Sequence, residues 1–423
     1  MLESIAVSDS ATMRLVPRVL HVLSQRPSLT GSGVTLNALV NHAAVAGWQQ
    51  RVVVGVPAAD PHPPVADLAP ECVHPLVFES QQLAFPVPGM SDVMPYPSSR
   101  FSSLSEAQVG AYLGAWRRHL EPLIREFRPQ VIHAHHLWLL GAMLKDLAPA
   151  VPVVSHCHGT GFRQMVLCPH LAPHVRAGCA RLDRFAVLHQ EHATQVVETL
   201  RVEAARVHVV GAGYRDDLFH ARDRERDTAG RLLYVGKYSA AKGLPQLLDA
   251  VERLCGARPG LELHVAGSGS GDEAHALQER MQALAPAVTL HGQLDQPQLA
   301  DLMRRSAVCV LPSFYEGLPL VLVEALACGC RLVATRLPGV EGRLGPHLGP
   351  ALELVDLPPM TGIDTPDPAG LPAFVDRLAA ATERALDLGP IHDPARAVPG
   401  ALDAFTWSAV FRRVESVWRQ LIA

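Results

Sequence analysis

The chain has 423 residues and a formal net charge of −4. This lack of a basic excess argues against a nucleic-acid-binding protein, and 48% hydrophobic with 18% charged residues is typical of a globular protein with roughly two or three domains. We find no run of about 18 apolar residues that would predict a membrane-spanning helix, and no secretory signal pattern near the start. We therefore expect a cytoplasmic protein. The eight cysteines lie mostly in apolar segments, which favours reduced thiols over disulfides.

In the first half of the chain, apolar runs alternate with helical patterns, which predicts an α/β domain with a parallel sheet. A glycine-containing helix start at Gly31 follows the first strand, and a proline-rich stretch at 57–104 predicts short strands and a long loop. The predicted strands of this half are 18–24, 50–56, 130–133, 151–156, 184–188 and 207–210, with helices at 31–46 and 106–127.

A glycine-rich break at 211–213 and a charged segment at 223–227 precede a second α/β series. This arrangement predicts two doubly wound domains hinged near 211–228, with a ligand in a cleft outside the carboxyl ends of the strands. A proline-rich stretch at 357–370 is predicted to be irregular. The remaining elements are strands at 231–236, 261–266, 288–290, 308–311 and 331–335 and a last helix at 405–421.

The most informative segment, 312–329, places Glu316 and Glu324 eight residues apart across a loop-to-helix junction. Glu316 precedes the helix and Glu324 lies about two turns inside it. A helix N-terminus offers backbone N–H groups and a positive dipole end to a diphosphate, while carboxylates accept hydrogen bonds from sugar hydroxyls. The alternative is an ordinary surface loop and helix with two unrelated acids.

Two lysines follow the first strand of the second half. Lys237 and Lys242 would face a diphosphate as point charges on flexible stems, although for either lysine alone a solvated surface position is the better interpretation. Gly267 and Gly269 follow the next strand, where glycine either lets the backbone approach a ligand or turns the chain.

Three blocks, 234–243, 264–269 and 312–329, resemble in order and spacing the nucleotide-binding domain of the retaining glycosyltransferases of family 4, including an intact Glu-x7-Glu pattern. The resemblance is strong from 231 to 335 and weak before 130. It implies the two-domain GT-B fold, in which two Rossmann-like domains face each other across a cleft. The implied division is 1–212 for the acceptor-side domain, 213–404 for the nucleotide-sugar-binding domain and 405–423 for a helix that crosses back onto the first domain.

For the donor, the resemblance implies that Glu316 holds the sugar, that Glu324 holds the ribose and that Gln293 and Leu294 meet the base. The family usually has arginine where Lys237 stands, and lysine keeps the charge but loses the bidentate fork. The implied donor-binding residues are Gly31, Gly33, Lys237, Lys242, Gly267, Gln293, Leu294, Gly317, Leu318, Leu320, Val321 and Glu324.

In the first domain, His158 stands in a His-Gly-Thr segment that resembles a strand end of the family. The resemblance implies that His158 and Glu316 are the catalytic residues, with the His158 backbone carbonyl near the anomeric carbon. His156 is the alternative if the register is shifted by two. Arg163 and His133 are implied as acceptor or phosphate contacts, and a solvated Arg163 is equally open.

The residues also bear on other interpretations. A zinc site at the Cys/His segment 157–179 is disfavoured because the ligand spacing is irregular. No Gly-x-Ser-x-Gly elbow in a strand–turn–helix context supports a hydrolase. An epimerase-like protein or a non-catalytic sugar-nucleotide binder stays open as the alternative.

The sequence thus predicts a retaining, metal-independent transfer of a sugar from a nucleotide-sugar, with UDP ahead of GDP or ADP, and no cofactor. It specifies neither the acceptor nor the oligomeric state. The basic amphipathic segment at 116–128 is open to two interpretations, a helix that covers the sheet or a weak peripheral contact with the inner face of an anionic membrane.

Overall fold

The computed structural model describes residues 16–28, 30–91, 94, 96–316, 318–362 and 364–423. They form two compact units. The first unit runs up to Val210 and includes Phe411–Ala423, and the second unit is Gly211–Val410. The sequence-based division at 212 and 404 stays a prediction.

The first unit contains a seven-stranded parallel sheet and a separate pair of two-residue strands. Its strands are β1 (Arg18–Leu23), β2 (Gln49–Pro57), β3 (Val73–Phe78), β4 (Pro88–Gly89), β5 (Ser99–Arg100), β6 (Val131–His135), β7 (Val153–Cys157), β8 (Arg184–Val187) and β9 (Val207–Val209). The main sheet has the order β3-β2-β1-β6-β7-β8-β9, and β4 pairs with β5.

Helices connect most of the parallel strands of the main sheet. They are α1 (Gly31–Val45), α2 (Glu106–Phe127), α3 (Leu139–Leu147), α4 (Thr160–Leu167), α5 (Ala172–Cys179) and α6 (Gln190–Leu200). The sheet is buried between two apolar clusters, so its central strands β6 and β7 have every residue buried. This explains why they appear in the sequence as apolar runs interrupted by histidine.

The long helix α2 shows how local sequence sets its bounds. Ser105 accepts a hydrogen bond from the backbone N–H of Gln108, whose side chain caps the Ser105 N–H in return. The helix ends at Arg128, which adopts a left-handed conformation. Its buried face packs Tyr112 and Trp116 into the core of the first unit, which agrees with the sheet-covering interpretation. A membrane contact by its basic face stays a prediction.

The second unit contains a six-stranded parallel sheet. Its strands are β10 (Arg231–Val235), β11 (Glu262–Ala266), β12 (Val288–Gly292), β13 (Val308–Leu311), β14 (Arg331–Thr335) and β15 (Leu352–Val355), in the order β12-β11-β10-β13-β14-β15. Its helices are α7 (Leu244–Ala257), α8 (Asp272–Ala283), α9 (Gln296–Arg304), α10 (Leu320–Ala327), α11 (Pro338–Glu341), α12 (Gly345–Leu348), α13 (Leu371–Leu388) and α14 (Pro394–Ala397). The last helix, α15 (Trp407–Ile422), begins in the second unit and ends in the first.

The doubly wound α/β class predicted from the sequence is confirmed in both units. In each sheet the strand order reverses once, between β1 and β6 and between β10 and β13. Ligands of such sheets bind outside the carboxyl ends of the strands at the reversal, so these two edges are where a site is expected.

No helix in the described part of the chain is long and apolar enough to cross a membrane.

Candidate active site

In the second unit, the loops that follow β10 and β13 are packed against each other at the reversal of strand order. Gly243 has a φ of +66°, and a Cβ atom there would lie 2.1 Å from the carbonyl oxygen of Pro312. The backbone N–H of Phe314 donates a hydrogen bond of 3.0 Å to the carbonyl of Ala241. The close approach therefore requires glycine at 243, and it brings the two predicted donor-binding loops side by side.

The charged residues of these loops form an ion pair. Lys242 Nζ lies 2.7 Å from Glu316 Oε1, and Ser313 Oγ donates a hydrogen bond of 2.8 Å to the same oxygen. The side chains of Lys242 and Glu316 are 28% and 17% exposed, so both remain within reach of a ligand. The structure thus joins a residue predicted to bind diphosphate to one predicted to bind sugar.

Glu324 lies in α10, the helix that follows the Glu316 loop. It is partly buried, and this burial raises the pKa of its carboxyl from 4.5 to about 7. No described side chain donates a hydrogen bond to it. Near neutral pH the carboxyl is therefore present in both protonation states, and it can donate to or accept from a hydroxyl group.

The backbone around Lys237 is held from two sides. Tyr234 Oη donates a hydrogen bond of 2.7 Å to the Lys237 carbonyl. Gly267 has a φ of +145°, and a Cβ atom there would lie 1.9 Å from the Gly236 carbonyl oxygen. The Gly267 N–H donates in turn to the carbonyl of Gly292, so the ends of β10, β11 and β12 are linked. The exposed Lys237 side chain forms no ion pair with the residues that the structure describes.

The other predicted donor contacts of this unit lie at the same edge. Gln293 is exposed and Leu294 is partly buried directly after β12. Leu318, Leu320 and Val321 are partly buried around the start of α10. Gly317 lies outside the described residues.

In the first unit, histidines on three neighbouring strands and directly after two of them form one cluster, which is buried except for His158. It consists of His21 on β1, His133 and His135 on β6, His136, His156 on β7 and His158. Their pKa values lie below the ordinary 6.5, to about 4 for His21 and His156 and about 3 for His136, chiefly because burial disfavours the charged form. The cluster is therefore neutral at physiological pH.

His158, the predicted catalytic residue, is the partly exposed member of this cluster. Its ring stacks on His156 with the centroids 4.7 Å apart and the planes at 9°, and its Nε2 lies 3.1 Å from His135 Nδ1. Burial, followed by the neighbouring His156, holds its pKa well below 6.5. A neutral, stacked imidazole can orient a backbone or a ligand, and because it is uncharged it does not repel positive charge that develops nearby.

The remaining predicted residues of this unit differ in accessibility. Gly31 opens α1 and has open space where a Cβ would stand, whereas a Cβ on Gly33 would lie 2.7 Å from the backbone of Pro27. Arg163 is exposed on α4. His133 is fully buried, with both ring nitrogens in hydrogen bonds, which argues against the direct ligand contact predicted for it.

Within the described residues, no group of three or more His, Cys, Asp or Glu side chains is arranged to hold a metal ion. In the Cys/His segment 157–179, Cys157, Cys168 and Cys179 are buried, whereas His170 and His174 are exposed.

Two known protein families match separate segments of the chain. Residues 30–213 match the family described as glycosyl transferase 4-like domain, and residues 229–351 match the family described as glycosyl transferases group 1. Residues 30–213 and residues 229–351 thus each resemble a glycosyltransferase domain. The first matched segment contains the histidine cluster except for His21, and the second contains the Lys242–Glu316 pair.

Curated relatives agree with both family matches. The chain is 30% identical over 240 residues to glycogen synthase of Mycobacterium tuberculosis strain H37Rv, covering 53% of this chain and 58% of the relative. It is 28% identical over 325 residues to D-inositol 3-phosphate glycosyltransferase 1 of Catenulispora acidiphila, covering 69% of this chain and 72% of the relative. The chain thus spans little more than half the length of the glycogen synthase.

Solved structures share the fold over nearly the whole chain. Sucrose-phosphate synthase from Thermosynechococcus elongatus has a TM-score of 0.65 at 19% identity, covering 96% of this chain and 99% of that one. The Anabaena protein HepE in complex with UDP-glucose has a TM-score of 0.58 at 16% identity, covering 95% and 99%. These neighbours confirm the predicted GT-B class of two Rossmann-like domains.

Sequence reasoning did not identify three side chains that support the candidate residues. Ser313 lies three residues before Glu316, a spacing that could have suggested their hydrogen bond. Tyr234 and Trp418 had no such signal, because their partners are a backbone carbonyl and a histidine 285 residues away.

Proposed function

We propose that this protein is a retaining glycosyltransferase that moves a sugar from a nucleotide-sugar, in the first place a UDP-sugar, to an acceptor hydroxyl without a metal or cofactor. The observation that carries the proposal is the Lys242–Glu316 pair at the strand-order reversal of the group 1 domain. Solved structures of the same fold that contain UDP or UDP-glucose support the choice of donor.

The ion pair suits a diphosphate-sugar because its two members are complementary to different parts of that ligand. When donor binds, Lys242 exchanges the Glu316 carboxylate for phosphate oxygens, and Glu316 then accepts hydrogen bonds from sugar hydroxyls. Exposed Lys237 supplies a second positive charge. Fixed positive groups stabilise the diphosphate as it leaves, which is the contribution that a bound metal makes in other enzymes.

Glu324 completes the donor site on the ribose side. Its partly buried carboxyl has no other hydrogen-bond partner among the described side chains, so the ribose hydroxyls would satisfy it. The start of α10, at Leu320 and Val321, adds the positive end of a helix dipole. Gln293 and Leu294, directly after β12, are assigned to the base.

We assign transfer with retention to departure of the diphosphate and attack of the acceptor on the same face of the sugar. A donor phosphate oxygen takes the proton of the acceptor hydroxyl, so no nucleophilic side chain is required. His158 is assigned to the reacting end of the donor, where its backbone carbonyl faces the developing positive charge. The neutral state of its ring is consistent with that task.

The first test is a donor screen with UDP-glucose, UDP-GlcNAc, UDP-galactose, GDP-mannose and ADP-glucose, read as thermal stabilisation and as slow nucleotide release without acceptor. We expect one donor to stabilise the protein and Glu316→Gln to lower the release rate about 100-fold. Glu279→Gln, an exposed acid on α8 of the same unit, is the matched control and should behave as wild type.

The screen also separates the alternatives. Unchanged rates in both Glu316→Gln and Lys242→Ala would refute the assigned site. Stabilisation by a nucleotide-sugar without any release or transfer would favour a non-catalytic binder. The anomeric configuration of the product, read by NMR, tests retention, and full activity in EDTA tests independence from metal.

A further inference from the structure

The buried histidines of the first unit are hydrogen-bonded in a fixed direction that starts at the last helix. Trp418 Nε1 lies 3.0 Å from His133 Nδ1. An indole N–H can only donate, so His133 Nδ1 must be the acceptor and carries no proton. Both side chains are fully buried, and water therefore does not compete for this bond.

The proton of a neutral His133 must then be on Nε2, which lies 3.3 Å from His156 Nδ1. His133 donates this bond and His156 accepts it, so the proton of His156 is also on Nε2. That Nε2 atom is buried and has no partner among the described residues. Both rings are neutral because burial lowers their pKa values, with His156 at about 4, and the argument from tautomers therefore holds near pH 7.

The orientation of His156 matters because His158 rests on it. The two rings are nearly parallel, at 9°, with centroids 4.7 Å apart. A change of tautomer at His156 would remove its bond to His133 and free the ring to turn under His158. We propose that Trp418 is a positioning residue that acts through His133 to fix the tautomer and orientation of His156, and thereby the place of His158. The part that concerns His158 rests on the proposed function.

A purely structural role for Trp418 is the competing explanation, since its ring packs edge-on against Trp48 and Phe411, with centroids 5.0 and 5.8 Å away. The chain offers a matched control for it. Trp48 Nε1 donates a hydrogen bond of 3.0 Å to Glu415 Oε1, also on α15. The indole N–H of Trp48 thus bonds to a side chain on α15, and the indole N–H of Trp418 extends from α15 to a histidine of the cluster.

The experiment compares wild type, Trp418→Phe and Trp48→Phe, since each substitution removes one indole N–H and keeps an aromatic ring. The first measurement is the imidazole 15N shifts of histidine-labelled protein, assigned with His133→Asn and His156→Asn. We expect Nε2–H tautomers at His133 and His156 in wild type and in Trp48→Phe, and mixed tautomers in Trp418→Phe. An Nδ1–H tautomer at His156 in wild type would overturn the proposal without any variant, so it stays testable if Trp418→Phe folds poorly.

The second measurement is kcat and the donor KM of the same proteins. We expect Trp418→Phe to lower kcat about tenfold with the donor KM within about twofold, and Trp48→Phe to keep both. Equal losses in the two variants would show a role in anchoring the helix only and would refute the positioning role. If wild type turns over no donor, the proposed function fails, whereas the 15N shifts still decide the hydrogen-bond direction.

Discussion

The two sheets carry their candidate residues at the same place, the carboxyl edge where strand order reverses, but with opposite electrostatics. In the first unit the edge is filled by buried imidazoles whose pKa values are lowered, so charge is excluded. In the second unit the edge keeps Lys242 and Glu316 as a partly exposed ion pair. The same topology therefore supports a neutral, rigid edge in one unit and a charged edge open to ligand in the other.

This difference predicts opposite responses to pH. A buried histidine with a lowered pKa makes the folded state less stable in acid, because the unfolded chain binds the proton more readily. A buried carboxyl with a raised pKa, such as Glu324, makes the folded state less stable as pH rises.

The largest effect should be acid destabilisation of the first unit. Stability is full above pH 6.5 and falls below it, by up to about 1.36 kcal/mol per pH unit for each affected histidine, until the folded-state pKa is reached. With several histidines affected, we expect a loss of several kcal/mol between pH 7 and pH 5. Urea unfolding followed by tryptophan fluorescence measures it, since four of the five tryptophans lie in this unit, namely Trp48, Trp116, Trp138 and Trp418.

Single variants sharpen this prediction. His136→Leu removes one buried histidine whose pKa is about 3 and should make the acid dependence shallower by about 1.36 kcal/mol per pH unit. The exposed His170 provides the control, and His170→Leu should leave the dependence as in wild type. Identical slopes in the two variants would contradict a buried, neutral cluster.

Next in size is the effect of adding a methyl group at the edge of the second unit. In Gly267→Ala the Cβ would meet the Gly236 carbonyl at 1.9 Å with a φ of +145°, so we expect a loss of about 3 kcal/mol or more. Gly31→Ala, at the edge of the first unit, meets no atom within 4 Å and should change stability by less than about 1 kcal/mol. Thermal unfolding of both variants measures these changes. Equal losses of stability would show that Gly267 is not constrained by the neighbouring strand end.

Much of the fold was predictable because the buried strands are apolar runs. The predicted helix 106–127 and the strands 308–311 and 331–335 coincide with α2, β13 and β14. The strand β15 and the helix α13 were not predicted. Prolines and glycines flank both, and only the packing of α13 on the sheet shows that they belong to the core.

The residues of the candidate site could be proposed one by one from the sequence, but the contacts between them could not. Lys242 and Glu316 are 74 residues apart, and their pairing depends on β10 and β13 being neighbours in the sheet. The direction of the histidine hydrogen bonds depends on Trp418, which no local pattern connects to His133. Strand order and long-range side-chain partners are tertiary information that periodicity does not contain.

A third prediction tests the opposite pH response of the second unit. Because the folded pKa of Glu324 is raised to about 7, its contribution to stability declines as pH rises from about 4.5 to about 7 and is constant above that. Glu324→Gln should remove this decline and be more stable than wild type at pH 8 by on the order of 2–3 kcal/mol, while it binds donor more weakly. Calorimetric unfolding at pH 5 and pH 8 measures the change. If Glu324→Gln is no more stable than wild type at pH 8, as expected for the control Glu279→Gln, the Glu324 carboxyl is not buried as described.

The smallest effect concerns the ion pair itself. Both side chains of the Lys242–Glu316 pair are partly exposed, so a double-mutant cycle with Lys242→Met and Glu316→Gln should give a coupling of about 1 kcal/mol at low salt, decreasing as salt is added. The informative comparison is the same cycle with saturating UDP. If phosphate takes Lys242 from Glu316, the coupling measured in the nucleotide complex should fall toward zero. An unchanged coupling would mean that the ion pair stays intact when ligand binds and only supports the loop. Another group would then neutralise the diphosphate, and exposed Lys237 would be the next residue to test.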